Sequence, residues 1–294
     1  MGFKQKIKNI PGIYNSILFI LNAFNYFNIR FWMQYPNYQL TDYWNKRIEK
    51  VKASTDNDKV VHVTDAGKVY KDHQRMHNGI KITLGSYYDY GNTHLLEQNK
   101  GVHEPQEEYV FQEVLAHLPK GATMMELGSY WAFYSLWFAS KVNNAKCYMI
   151  EPDPHKMNFG KLNFKLNQLK GTFLLGFIDG YTDSKKSIPI FHVDELMHRF
   201  QISFLNVLHS DIQGYELNML KGADKALTEK KIGYLFISTH SNQLHQDCIN
   251  QLKTKGYQIV CDANLDESYS VDGIIVAKLP EQPGPSSIEI SKRR

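Results

Sequence analysis

Acidic and histidine side chains recur at one kind of position in the second half of the chain, directly after a short apolar run. Glu126-Leu127-Gly128-Ser129 closes the run from Met124, and Ile150-Glu151-Pro152 closes the next. Phe177-Ile178-Asp179, Leu208-His209-Ser210-Asp211 and Ser238-Thr239-His240 close three more. If the runs are parallel strands, these residues gather beyond the strands' carboxyl ends, where open α/β sheets bind ligands. A carboxylate at the tip of the second strand, roughly twenty residues past the glycine turn, can accept hydrogen bonds from both hydroxyls of a ribose. Gly128 and Ser129 let the chain turn tightly, so that a ligand approaches the backbone at a helix N-terminus.

The turn narrows the choice of nucleoside. Ser129 and Ala132 stand where a GxGxxG loop would carry its second and third glycines, and there is no GxxxxGK[ST]. Such a loop is poorly shaped for a pyrophosphate or triphosphate. An adenosine ligand without phosphates, such as S-adenosylmethionine, tolerates it. At the third tip an apolar side chain can flank adenine, with Asp179 accepting its amino hydrogens. His209, Asp211 and His240 would overhang the reactive end. The plainer alternatives are a strand-end histidine that only hydrogen-bonds structurally, and an Asp211 that only caps the next helix. Tyr87, Tyr88, Tyr90, His94 and His103 suit an acceptor pocket closing over the cleft, or a surface loop of packing rings. Glu104 and Glu107 stand where they could neighbour the ligand's amino group.

These tips need a scaffold, and the pattern supplies one from about His103 onward. Helix at 105–118, strand at 124–127, helix at 132–141, strand at 146–150, helix at 155–167 and strand at 172–177 alternate. Strand at 202–208, helix at 215–227, strand at 234–238, helix at 245–255, and strands at 257–260 and 273–277 follow. Alternation of this kind predicts a mostly parallel, doubly wound sheet with helices on both faces. The last two strands lie together without a helix between them, so an antiparallel edge strand is expected. The first hundred residues show no such alternation. They form an extension with an amphipathic helix over Ile13 to Phe27, an aromatic stretch from Tyr26 to Trp44, and short strands at 60–63 and 80–84. Residues 101–280 form the catalytic domain, and 281–294 read as a flexible Pro/Ser-containing tail.

Composition excludes several classes. The 294 residues are 43% hydrophobic and 22% charged, ordinary for a folded domain, and the net charge of +4 is scattered rather than drawn into the stripe of a nucleic-acid binder. Cys147, Cys248 and Cys261 form no CxxC pair, so a zinc knuckle is ruled out, and a reducing cytoplasmic setting is expected. Lys4, Lys6 and Lys8 before the apolar run resemble a signal peptide, but Asn15, Asn22 and Asn25 interrupt the run and no cleavage site follows. That helix is left to pack on the domain, to mediate a homodimer or to touch a membrane surface, and it is too short and polar to span one.

Three motifs in order make a family resemblance specific. Glu126 to Ser135 resembles the DxGANxGxxS turn of FkbM-type methyltransferases. Glu151-Pro152-Asp153-Pro154 with Asn163 to Asn167 resembles their EPxP…NxxLN run, and His209 to Ala223 their KxDxxGxExxxLxGA run. The resemblance covers roughly residues 103 to 278. It implies a Rossmann-like class I methyltransferase fold and transfer of methyl from S-adenosylmethionine to a hydroxyl, frequently on a sugar, glycan or glycosylated small molecule. By position it implies Glu126, Gly128 and Ser129 along the methionine moiety, Glu151 on the ribose, Asp179 near adenine and Asp211 beside the reacting centre. The sequence departs from the pattern at His209 for Lys, Gln213 for Glu, and Ser129 and Ala132 for Ala and Gly. A sugar hydroxyl is a poor nucleophile, so a base helps. His209 or His240 is expected to serve, with Asp211 orienting it or the acceptor; alternatively Asp211 and a neighbour bind Mg²⁺. Tyr87, Tyr88 and His103 are the expected acceptor contacts. The rival readings are an RNA 2′-O-methyltransferase, a dinucleotide enzyme of the same fold class, and a scaffold that has lost its chemistry.

Overall fold

The computed structural model describes residues 24–293, so most of the expected helix over Ile13 to Phe27 lies outside the described residues. The described chain opens with helix α1 (Phe24–Gln34) and α2 (Asp42–Lys52), the latter capped by the Thr41 side chain, which accepts from the Trp44 N–H. A two-strand ribbon follows, β1 (Gln74–Arg75) with β2 (Lys81–Ile82), then α3 (Tyr90–Gln98) and α4 (Pro105–Leu115). Residues 60–63 form no strand, and only the middle of the 80–84 run pairs.

From here the strand–helix alternation holds. The order is β3 (Thr123–Leu127), α5 (Phe133–Lys141), β4 (Lys146–Glu151), α6 (Pro154–Leu166) and β5 (Thr172–Leu175). A short ribbon of β6 (Phe177–Ile178) and β7 (Ile190–Phe191) and then α7 (Val193–Arg199) interrupt it. The chain resumes with β8 (Leu205–Ser210), α8 (Glu216–Gly222), α9 (Asp224–Thr228), β9 (Ile232–Thr239), α10 (Asn242–Thr254), β10 (Gln258–Ala263) and β11 (Gly273–Lys278). The single helix expected over 215–227 is two, divided at Ala223.

The seven main strands run β10-β11-β9-β8-β3-β4-β5. All neighbouring pairs are parallel except those of β11, which is antiparallel to both β9 and β10. The reversed strand is therefore one position in from the edge: β10 crosses over by α10 and leaves a gap that β11 fills on its return. Strand order reverses between β3 and β8, which makes the carboxyl ends of those strands the place for a ligand.

Both faces of the sheet are covered, so its central strands are buried and mostly apolar. Period-two alternation divides them between two cores. Met124, Val207, Phe236 and Val276 face one core with Phe111, Trp137 and the N-terminal helices. Met125, Leu208, Leu235, Ile237 and Ile275 face the other with Met219, Leu220 and Leu252. The tail expected to be flexible is packed instead. Ile290 is buried, Ile288 N–H donates to Val260 O, and the Ser291 N–H and hydroxyl both donate to Asp56 Oδ2, at 2.8 and 2.7 Å. Apolar Ile288 and Ile290 and the buried Asp56 outweigh the polar composition around them.

Candidate active site

The β3–α5 turn and the β8 tip touch. Gly128 has φ +71°, and a Cβ there would stand 1.9 Å from Asp211 O, so only glycine lets the two strand ends approach. Asp211 N–H donates to Leu127 O (3.0 Å), and the Gly128 and Ser129 N–H groups donate to Ile150 O. Tyr130 and Ala132 also have positive φ, 41° and 58°. A non-glycine residue there stores strain of about 1–2 kcal/mol, and Ala132 stands where the related motif has glycine.

Between these tips opens a cleft of about 300 Å³. Glu126, Gly128 and Ser129 line it, with Glu151 on the β4 side and His209 and Asp211 at the β8 tip; Phe177 and Ile178 form a further wall. Tyr87, Tyr88, Tyr130, Trp131, Tyr134, His103 and Glu104 close it from the N-terminal side. The two tip carboxylates are fixed by backbone donors. Glu151 Oε2 accepts from Tyr130 N–H and Oε1 from Asp153 N–H, both at 2.9 Å, and Glu126 Oε2 accepts from Ser135 N–H at 2.9 Å. Burial raises the pKa of both. Ser129 Oγ is buried in the cleft wall without a hydrogen-bond partner.

The aromatic mouth is built from two distant segments. Tyr87 stacks on Trp131 (4.4 Å between centroids, 13° between planes), and Tyr88 N–H donates to the Tyr130 hydroxyl oxygen at 3.0 Å. His103 sits edge-on to Trp131 and Tyr87. Behind it lies a buried network: Glu108 takes His103 Nδ1 at 2.5 Å, His77 Nε2 at 3.0 Å, and the His103 and Glu104 N–H groups at 2.9 Å. Tyr90 and His94 are placed elsewhere than expected. They pack with Tyr35 and Tyr38 and are not among the cleft-lining residues, because α3 turns them toward the N-terminal helices.

The two histidines differ from free bases. His209 Nε2 lies 2.8 Å from Glu107 Oε1, its ring stacks on Tyr134 at 4.2 Å, and it is 3% exposed. Burial lowers its pKa, but Glu107, with Glu126 and Asp211 behind it, outweighs burial and raises it. His240 is outside the cleft lining, behind Asp211. Its Nδ1 lies 2.9 Å from Glu216 Oε1, and its Nε2 lies 3.3 Å from Asp211 Oδ1 and from Asp272 Oδ1. Against the pull of burial, Asp211, Glu216 and Asp272 push it up to about 10. Each ring is thus held by carboxylates, Glu107 on His209 and Glu216, Asp211 and Asp272 on His240, and both are shifted upward by them. Asp272 was not singled out in the sequence. It directly precedes β11, and its place opposite β9 follows only from the inserted strand. Burial, with Asp211 next, pushes it up to about 7.

Asp179 does not line the cleft. Its Oδ1 accepts from Gly180 N–H (2.7 Å) and Asn218 Nδ2 (2.9 Å), tying β6 to α8. Glu107, read from sequence as a ligand neighbour, is instead the partner of His209. Glu104 does line the cleft and accepts from the Tyr134 hydroxyl at 3.1 Å. Trp131, Tyr130 and Tyr134 went unnoticed as cleft residues; their signal was adjacency to the Gly128 turn.

Residues 171–259 match the family model described as Methyltransferase FkbM domain. The match spans β5 to β10, and so includes the His209 to Ala223 motif but neither the Gly128 turn nor Glu151. No curated protein sequence matches the chain. Among solved structures, precorrin-6y C5,15-methyltransferase from Geobacter metallireducens GS-15 is 14% identical with a TM-score of 0.41, over 58% of this chain and 88% of that one. TrmK from M. capricolum, in complex with S-adenosyl-homocysteine, is 12% identical with a TM-score of 0.41, over 59% and 69%. Fibrillarin from Aeropyrum pernix, with natively bound S-adenosyl-L-methionine, is 16% identical with a TM-score of 0.39, over 54% and 67%. Among the described residues no helix is long and apolar enough to cross a membrane.

Proposed function

We propose that the chain, whose residues 171–259 match the FkbM methyltransferase domain, methylates a hydroxyl of a sugar, glycan or glycosylated small molecule, using S-adenosylmethionine. The observation that carries this reading is the pair of fixed carboxylates, Glu126 and Glu151, at the tips of adjacent parallel strands on either side of the Gly128 turn. The residues present fit the cofactor. Glu151 has its backbone donors satisfied and keeps lone pairs for two ribose hydroxyls, Phe177 and Ile178 offer an apolar wall to adenine, and Ser129 Oγ lacks a partner. Glu104, Glu126, Glu151 and Asp211 make a wall richer in carboxylates than in cations, which suits a ligand bearing an ammonium and a sulfonium and disfavours a diphosphate. The volume lies at the small end of the usual range for such ligands.

When bound, the cofactor supplies a sulfonium-activated methyl group. The protein's task is to align an acceptor oxygen with it and to exclude water. Tyr87, Tyr88 and Trp131 give flat apolar surfaces on which a sugar ring can rest while their neighbours hydrogen-bond its hydroxyls. Asp211, at the β8 tip, is placed to accept the hydrogen bond of the reacting hydroxyl and to hold its proton as the oxygen attacks. His209, anchored by Glu107, stands near that carboxylate as a positioning residue. The aromatic mouth of this cleft supports an ordered small acceptor over a long nucleic acid, whose backbone calls for a basic groove.

Calorimetric titration with S-adenosylhomocysteine tests the reading. Wild type should bind with a Kd on the order of micromolar, and Glu151→Ala should bind at least about tenfold more weakly, the loss of one charged hydrogen bond of about 1.5–3 kcal/mol. Undiminished binding by a folded Glu151→Ala variant, or no binding by folded wild type, overturns it. Screening sugars and nucleotide-sugars as acceptors against the wild type then tests the hydroxyl.

A further inference from the structure

We propose that Asp211, His240 and Asp272 form a binding site for one divalent transition-metal ion, of the Mn²⁺, Fe²⁺, Co²⁺ or Zn²⁺ class, at the edge of the cleft. The topology assembles it. Asp211 follows β8, His240 follows β9, and Asp272 precedes the antiparallel β11, so three consecutive strands deliver a donor each to one end of the sheet. One donor atom from each lies within 4.8 Å of the others. Two ligands about 2.1 Å from a metal stand roughly 3.0 Å apart at an octahedral corner and roughly 3.4 Å apart in a tetrahedron. His240 Nε2 is 3.3 Å from Asp211 Oδ1 and from Asp272 Oδ1.

A second observation is independent of the spacing. His240 Nε2 is shielded from solvent and 3.3 Å from both carboxylates, without a well-aligned hydrogen bond to either. The other ring nitrogen, Nδ1, lies 2.9 Å from Glu216 Oε1. Glu216 is fully buried and is itself fixed by the N–H groups of Ile212 (3.3 Å) and Gly214 (3.1 Å). A carboxylate that takes the far N–H of a histidine fixes the ring, so that a metal displacing the Nε2 proton finds its lone pair in place, which is the usual support of a metal-bound imidazole.

The donor set selects the ion. Mg²⁺ prefers oxygen ligands alone, whereas imidazole with two carboxylates suits the first-row transition metals. Three protein ligands leave open positions, and Asp211 also lines the cleft, so an acceptor hydroxyl can reach the ion. There the ion would lower that hydroxyl's pKa. This use rests on the methyl-transfer reading; the site itself rests on the three side chains.

The experiment is titration of chelator-stripped, full-length protein with Mn²⁺, Co²⁺, Zn²⁺ and Mg²⁺ by calorimetry, with the visible absorption of Co²⁺ as a second readout. One equivalent of Co²⁺ or Mn²⁺ should bind at least about tenfold more tightly than Mg²⁺. Asp272→Asn and His240→Asn should each weaken it by about 10–100-fold or more, while S-adenosylhomocysteine still binds. If His240→Asn does not fold, Asp272→Asn and the Co²⁺ spectrum decide. Only millimolar binding to a protein that still takes S-adenosylhomocysteine overturns the metal site and leaves the methyltransferase standing. Metal binding unchanged in both variants also overturns it.

Discussion

Replacing Gly128 by alanine separates two costs that glycine avoids. Gly121 has nearly the same backbone, φ +78°, but nothing lies within 4 Å of a Cβ added there, whereas at Gly128 that Cβ meets Asp211 O at 1.9 Å. Gly121→Ala should therefore cost only the left-handed penalty of about 1–2 kcal/mol. Gly128→Ala carries the same penalty plus overpacking of about 1–3 kcal/mol. Forcing the loops apart also breaks the Asp211 N–H to Leu127 O bond, worth about 0.5–1.5 kcal/mol. The sum is about 3–6 kcal/mol. At about 2–4 °C per kcal/mol, Tm should fall about 3–6 °C for Gly121→Ala and about 10–20 °C for Gly128→Ala. Calorimetric titration of both variants below their transitions should show S-adenosylhomocysteine affinity kept in the first and lost in the second. Equal losses of Tm, or full affinity in Gly128→Ala, would refute the close approach of the β3 and β8 tips as the reason for this glycine.

Three further outcomes are expected. Burial works against ionisation of Glu108, but His103 and His77 outweigh it and hold its pKa below the usual carboxylate range; Glu108 in turn raises that of His103. The Glu108 contribution is then present above about pH 4.5 and lost as pH falls, while the His103 contribution is present below about pH 6.5 and lost as pH rises through its folded value. Glu108→Gln should flatten the fall of Tm on both sides of that window and cost about 3–5 kcal/mol within it; a variant with unchanged slopes contradicts the network. His209→Ala should cost about 3–5 kcal/mol by leaving Glu107 buried and unpaired, and adding Glu107→Ala should recover part of it. A single variant as stable as wild type but inactive would return His209 to the role of a free base. Ile290→Ala should lower stability by about 2–4 kcal/mol, read by thermal melting, because the side chain is buried; a detached tail would show no change.

The sequence reading reached the sheet and its ligand end because strand length, apolar content and alternation with helices are local properties. Glu126, Gly128, Ser129, Glu151, His209 and Asp211 could be named because they sit at strand tips, and a strand tip is visible in one dimension. What failed was pairing across distance. Glu107 and His209 are 102 positions apart in the chain, and nothing in either neighbourhood announces their contact. Asp272 and His240 meet because β11 inserts beside β9, a choice of strand order that periodicity does not encode. Tyr90 and His94 were grouped with Tyr87 and Tyr88 because they adjoin them, but α3 begins at Tyr90 and rotates the ring and its neighbour toward Tyr35 and Tyr38.

The position of β11 also bears on how the chain is made. β9 cannot gain its second neighbour until residue 278 has been synthesised, since the strand that lies beside it comes after β10. A nascent chain halted before then displays the eight-residue β9, apolar on both faces, with one row of its amide and carbonyl groups unpaired. An open edge of that kind recruits other strands, from the same chain or from another. Insertion of β11 therefore closes a seam that stays open until late in synthesis, and the segment exposed until then is Ile232–Thr239.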